Sequence, residues 1–184
     1  MQDLVAVAMI DFSQDYFALF GLPRRYRCDT ARLDAAYRTL QSAVHPDRFA
    51  AAGEAERRLA VQSSARVNEA YRALKDPVGR AQYILSLHGI DAKAETDTAL
   101  PLDFLERQLE RREAVDDARL AGDAARLEAL LSEVRTEIAV AEPALAETLD
   151  GRQSWESARA SVRELQFLSK LAADIDAAIG GIDG

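Results

Sequence analysis

Two runs of helical period meet at a proline. Leu33, Ala36, Tyr37, Leu40 and Val44 recur at i, i+3, i+4, i+7 and i+11, and Val67, Ala70, Tyr71 and Leu74 at i, i+3, i+4 and i+7. Such spacing predicts an amphipathic helix on each side of the break. Pro46, inside the tripeptide His45-Pro46-Asp47, disfavours helical backbone at His45 and cannot itself continue a helix. The chain therefore folds back, and the expected element is a helical hairpin with the tripeptide at its loop. Side chains held on a loop by two packed helices are placed for recognition.

The rest of the chain also reads as helix, and no alternating β-run appears, so the fold class is all-α. Residues 1–90 are expected to form a first domain with a short N-terminal extension, residues 91–101 a hinge, and residues 102–184 an antiparallel bundle of three helices. Pro101 opens the bundle, and Asp103 with Glu106 three residues later predicts a capping pair. Gly122 is expected to stop the first bundle helix and Asp123 to cap the next. Leu127, Leu130, Val134, Ile138, Ala141, Leu145 and Leu149 follow an approximate heptad on the second helix. Pro143 lies inside that pattern and predicts a kink or interruption near Glu142, with Gly151 ending the segment. Trp155, Ala158, Val162, Leu165, Leu168, Leu171, Ile175 and Ile179 mark the third helix, and Gly180 and Gly181 are expected to fray its end.

Composition narrows the partners. The 184 residues are 48% hydrophobic, enough for a core, and carry a net charge of −8. That charge argues against nucleic acid or an anionic membrane as the main partner. It is unevenly spread: residues 1–76 hold 11 basic and 10 acidic side chains, and residues 77–184 hold 12 and 21. A near-neutral half joined to an acidic half suits two different partners. With Cys28 the single cysteine and His45 and His88 the only histidines, neither a disulfide framework nor a metal site is expected, and no cofactor. The apolar run at residues 4–10 is too short to span a bilayer and lacks a basic region before it, so no signal peptide is expected. Met9 is an alternative start, which would make residues 1–8 an extension of little consequence.

Several segments carry a resemblance in their order. The apolar stretch from Asp15 to Pro23 (DYFALFGLP), the hairpin with its tripeptide, the stretch from Asn68 to Pro77 (NEAYRALKDP) and that from Arg80 to Tyr83 (RAQY) resemble the J domain of DnaJ-type co-chaperones. The resemblance implies that the loop docks on an ATPase chaperone of the HscA/DnaK class, with His45, Pro46 and Asp47 biasing that chaperone towards ATP hydrolysis. Arg38 and Arg48 flank the tripeptide, with Arg24, Arg25, Arg27 and Arg32 nearby, and would favour encounter with an acidic patch. An enzyme using His45 and Asp47 as an acid–base pair would need a pocket and a third orienting group. Neither a phosphate-binding Gly loop nor a nucleophile motif accompanies them, so no enzymatic activity is expected.

A second surface lies on the helix after Pro101. At about 100° per residue, Leu102, Leu105, Leu109 and Leu120 share one arc, and Phe104, Val115 and Ala118 another. Glu106, Glu110, Glu113 and Asp117 line up beside the leucine arc. Periodicity leaves two readings open: one wide buried face with a solvated acidic edge, or one arc in the bundle and the other presented. On the third bundle helix Phe167 falls outside the main apolar stripe, as a packing residue or an interface anchor.

The stretches LSLHG (85–89), FLERQLERRE (104–113), ARLE (125–128) and VRELQFLSKL (162–171) resemble the C-terminal domain of the HscB family, the J-type co-chaperones of iron–sulfur cluster assembly. In that family the bundle binds the IscU-type scaffold protein through an exposed apolar patch with acidic neighbours. The matching positions are Leu105, Glu106, Leu109, Glu110, Glu113, Asp117 and Phe167. At Glu106 the family can carry an apolar residue, which is a departure here. Eukaryotic relatives often add a cysteine-rich N-terminal extension, and its lack here points to a bacterial, cytoplasmic form. A J-domain adaptor delivering a different client is the alternative reading.

Overall fold

The structure, a computed structural model, describes residues 10–92 and 100–182. Among these the chain forms seven α-helices and no strand, so the all-α fold class is what the chain adopts. Residues 1–8 and most of the expected hinge lie outside the described residues. The chain divides between Ile84 and Leu85 into two compact units.

In the first unit, α1 (Tyr16–Leu19) is a single turn capped by Asp15. The Asp15 carboxylate accepts from the amides of Phe17 and Ala18 at 2.9 and 3.0 Å. These bonds satisfy donors that a helix start otherwise leaves open. Gly21, at φ +62°, takes the left-handed turn that ends the segment. Asp29 caps α2 (Thr30–Val44) in the same manner, accepting from the Arg32 amide at 3.0 Å. A 3₁₀ turn at Pro46–Phe49 leads back to α3 (Glu54–Lys75). Between α2 and α3, Leu33, Val44, Val67, Ala70 and Leu74 are fully buried. The expected hairpin has formed on the residues that predicted it.

Polar contacts fix the register of that hairpin. Tyr37 and Tyr71 stack at 4.0 Å between centroids, the Tyr37 hydroxyl donates to Asn68, and the Tyr71 hydroxyl donates to Asp34. The helix α4 (Pro77–Leu87) follows. Its Arg80 is buried, donating to the carbonyls of Tyr26 and Leu74 at 2.7 and 2.6 Å. A buried guanidinium is tolerable only with such partners.

The second unit is the bundle of α5 (Leu102–Ala121), α6 (Ala124–Ala146) and α7 (Trp155–Ile182). Its core includes Phe104, Val115, Leu127, Leu130, Val134, Leu168, Leu171 and Ile175. Gly122, at φ +66°, stops α5, and Asp123 caps α6 through the Arg126 amide. Four expectations need correction. Asp103 does not cap α5: Pro101 holds that position, and Asp103 sits inside the first turn, paired with Arg107 at 3.1 Å. Pro143 does not interrupt α6, which runs on to Ala146 and then widens into a π-helical turn, Glu147–Arg152. One lost backbone bond is outweighed here by burial of Leu145, Ala146 and Leu149. Gly151 lies within that turn, and the left-handed residue that ends it is Gln153, at φ 52°. Gly180 and Gly181 remain helical.

Candidate functional site

The hairpin turn is built by opposing constraints. Val44 is fully buried at the end of α2, and Phe49 is buried against Ala60 of α3. Both ends of the tripeptide are thus pinned. His45, forced off the helix by Pro46, has φ −59° and ψ 128°. Its Nδ1 accepts a long hydrogen bond, 3.4 Å, from the Asp47 amide, and lies 3.6 Å from the Asp47 carboxylate. As an acceptor Nδ1 carries no hydrogen, so the neutral ring bears its N–H at Nε2. His45 is half-exposed and Asp47 almost fully so.

Beside the turn lies an open groove of about 450 Å³ lined by Tyr37, Arg38, Gln41, Ser42, His45 and Arg48. Arg48 reaches back to donate to the Ser42 carbonyl at 3.2 Å. Arg38, His45 and Arg48 therefore share one surface, with Pro46 and Asp47 at its end. Gln41 and Ser42 carry no motif or apolar period in the sequence. They stand at i+3 and i+4 from Arg38, so one face of α2 carries all three, and His45 follows just past its end. A polar face gives no hydrophobic signal, so periodicity does not mark it. The wider arginine cluster is partly taken up elsewhere. Arg24 pairs with Asp15, and Arg32 donates to the Gly21 carbonyl at 3.4 Å. Burial works against the Asp15 carboxylate, yet the Ala18 amide and the Arg24 guanidinium hold it below its usual range.

On α5 the two arcs part company. Phe104, Val115 and Ala118 are buried in the bundle, whereas Leu102, Leu105 and Leu109 are 71, 40 and 61% exposed. The wide buried face is thus excluded. Glu106, Glu110, Glu113 and Asp117 are all exposed. Nearby cations are engaged elsewhere: Arg107 with Asp103, and Arg111 with Glu137 of α6. Phe167 is half-buried and meets Phe104 edge-on, with centroids 5.8 Å apart and ring planes at 81°. The Arg112 guanidinium lies 5.3 Å over the Phe167 ring. Phe167 is therefore a packing residue that also borders the exposed surface.

Comparison with known proteins agrees with this architecture. Residues 15–83 match the DnaJ domain family, and residues 100–176 match the family described as the HSCB C-terminal oligomerisation domain. The co-chaperone protein HscB homolog of Azoarcus sp. (strain BH72) is 45% identical over 174 residues, covering 95% of this chain and 98% of the relative. That of Cupriavidus taiwanensis is 49% identical over 169 residues, covering 92% and 96%. Among solved structures, chaperone HscB from Vibrio cholerae superposes with a TM-score of 0.80 at 35% identity, covering 92% of this chain and 99% of its own. Human co-chaperone protein HscB gives 0.82 at 29% identity, covering 91% and 83%. With both regions matched, and relatives aligned over nearly their whole length, the chain belongs to the HscB family of J-domain co-chaperones.

Proposed function

We propose that this chain binds an IscU-type iron–sulfur scaffold protein and stimulates ATP hydrolysis by an HscA/DnaK-class chaperone, so that cluster release and transfer are promoted. The chaperone engages His45, Pro46, Asp47, Arg38 and Arg48 in the domain formed by residues 1–90. The scaffold engages Leu105, Glu106, Leu109, Glu110, Glu113, Asp117 and Phe167 in the domain formed by residues 102–184, with residues 91–101 as the hinge. The co-chaperone performs no chemistry of its own: it favours one conformation of its partner by binding that conformation better. The cluster is cargo on the scaffold. Ligation of a cluster takes four Cys, or Cys with His, and Cys28 is the sole cysteine of this chain. The setting is the bacterial cytoplasm.

The observation that carries this reading is the grouping of Arg38, His45 and Arg48 around one open groove at the hairpin turn. Two cations and an imidazole on a rigid helical edge suit an acidic partner surface, and charge complementarity raises the rate of productive encounter. His45→Gln tests it. The His45 side chain makes one long hydrogen bond, to the Asp47 amide, among the described residues, so the change should move stability by less than about 0.5 kcal/mol. Chaperone stimulation should be abolished while scaffold affinity is unchanged. A variant that melts normally and stimulates fully would remove the tripeptide from the mechanism.

A further inference from the structure

We infer that Leu102 is a third anchor of the scaffold-binding patch, and that the partner surface seated there is an apolar strip about 10 Å long with cations along one edge. The inference rests on the scaffold-binding reading given above and deepens it. Leu102, Leu105 and Leu109 follow at i, i+3 and i+7 on the outer face of α5. At about 100° per residue, Leu102 and Leu109 lie within about 20° of one another, and Leu105 about 60° from Leu102. All three are exposed, and Leu102 most of all at 71%. Scattered exposed leucines are ordinary on protein surfaces, but three in consecutive turns of one face make a contiguous patch, which marks an interaction site.

Leu102 has no evident task within the bundle. Leu100 already packs against the bundle core at the entrance to α5, and Pro101 holds the cap position. The charges beside the patch give the partner its chemistry. Glu113, Glu106, Asp117 and Glu110 run along one flank of the leucine arc, about 20° to 80° from Leu102. With Arg107 and Arg111 turned to Asp103 and Glu137, this row is left for cations brought by the partner. Leu120, 84% exposed, shares the angular position of Leu102. It stands about 16 Å beyond Leu109 along the axis, past Glu113 and Asp116, and is therefore outside the strip.

The test titrates an IscU-type scaffold into the full-length protein and its variants Leu102→Gln, Leu102→Met, Leu120→Gln and Leu109→Ala, each also examined by thermal melting. Leu102→Gln should weaken binding at least about fivefold, the loss that marks an interface anchor. Leu102→Met and Leu120→Gln should stay within about twofold of the wild type, since one keeps apolar volume and the other lies off the patch. All four variants should melt as the wild type does. Wild-type affinity in Leu102→Gln, with Leu109→Ala weakened at least fivefold, would remove Leu102 from the patch and leave the scaffold reading intact. Equal losses in Leu102→Gln and Leu120→Gln would overturn the boundary drawn here. Unchanged binding in Leu109→Ala would overturn the scaffold reading and the inference together.

Discussion

A carboxylate at a helix start does two things at once in Asp15. It accepts from two amides of α1 and pairs with Arg24, which lowers its pKa against the opposing effect of burial. The lowered value fixes a direction. Asp15 stabilises the fold above its unfolded pKa, about 3.9, and this contribution disappears as pH falls through the lower folded value. Asp15→Asn keeps an oxygen for the amides but removes the charge, so at neutral pH it should cost about 1 kcal/mol or less. Melting between pH 3 and 7 should show the wild type losing its advantage over Asp15→Asn in the acid range. A difference constant across that range would contradict the ion-pair account. Phe167 presents a different case, because its ring both packs on Phe104 and borders the patch. Phe167→Ala should cost about 2 kcal/mol of stability, whereas Leu105→Ala and Leu109→Ala should each cost less than about 1 kcal/mol, which chemical denaturation would resolve. A scaffold-binding loss in Phe167→Ala is therefore a mixed signal, and the two leucines provide the clean one.

The helices show how much of the fold is legible in the residues and why the remainder is not. Local chemistry writes some helix ends plainly: Asp123 caps α6 and Gly122 takes positive φ, whereas Asp103 carries the same capping signature and lies inside the first turn of α5. Pro143 misleads because its local penalty is small beside the burial of Leu145 and Leu149. Gln153 is illegible because a left-handed glutamine carries no sequence signal of its own. For α5, periodicity gives the phase of both apolar arcs but not which one α6 and α7 will cover. That depends on neighbours distant in sequence, so the exposed leucines become visible only in the folded bundle. The helix α7 adds a burden that was likewise unreadable. Burial raises the pKa of Glu164, and Asp103 and Glu137 add to the effect while Arg107 opposes it. A raised carboxylate pKa means that the fold favours the protonated form. Stability linked to Glu164 is present below its unfolded pKa and is lost as pH rises through the folded value. Glu164→Gln should therefore raise the melting temperature at pH 7 and have little effect near pH 4. A lower melting temperature at pH 7 would show that the carboxylate is stabilising in its charged form.

At the scale of the whole molecule, the chain carries two surfaces of opposite character on two separate units. The groove beside His45 is basic, and the α5 patch is apolar with an acidic flank. Under the proposed function, covalent linkage would make the second binding event intramolecular and raise the local concentration of scaffold at the chaperone without any new contact. The central claim is that both surfaces must act from the same molecule. Complementation between two full-length variants tests it: His45→Gln, which keeps the patch, and the double variant Leu105→Ala/Leu109→Ala, which keeps the hairpin turn. The chaperone's ATPase rate is measured with scaffold present, below saturation, for the wild type, each variant and their equimolar mixture. The mixture should run no faster than the double variant alone, well below the wild type. A mixture that restores the wild-type rate would show that the two surfaces work independently and would contradict the account.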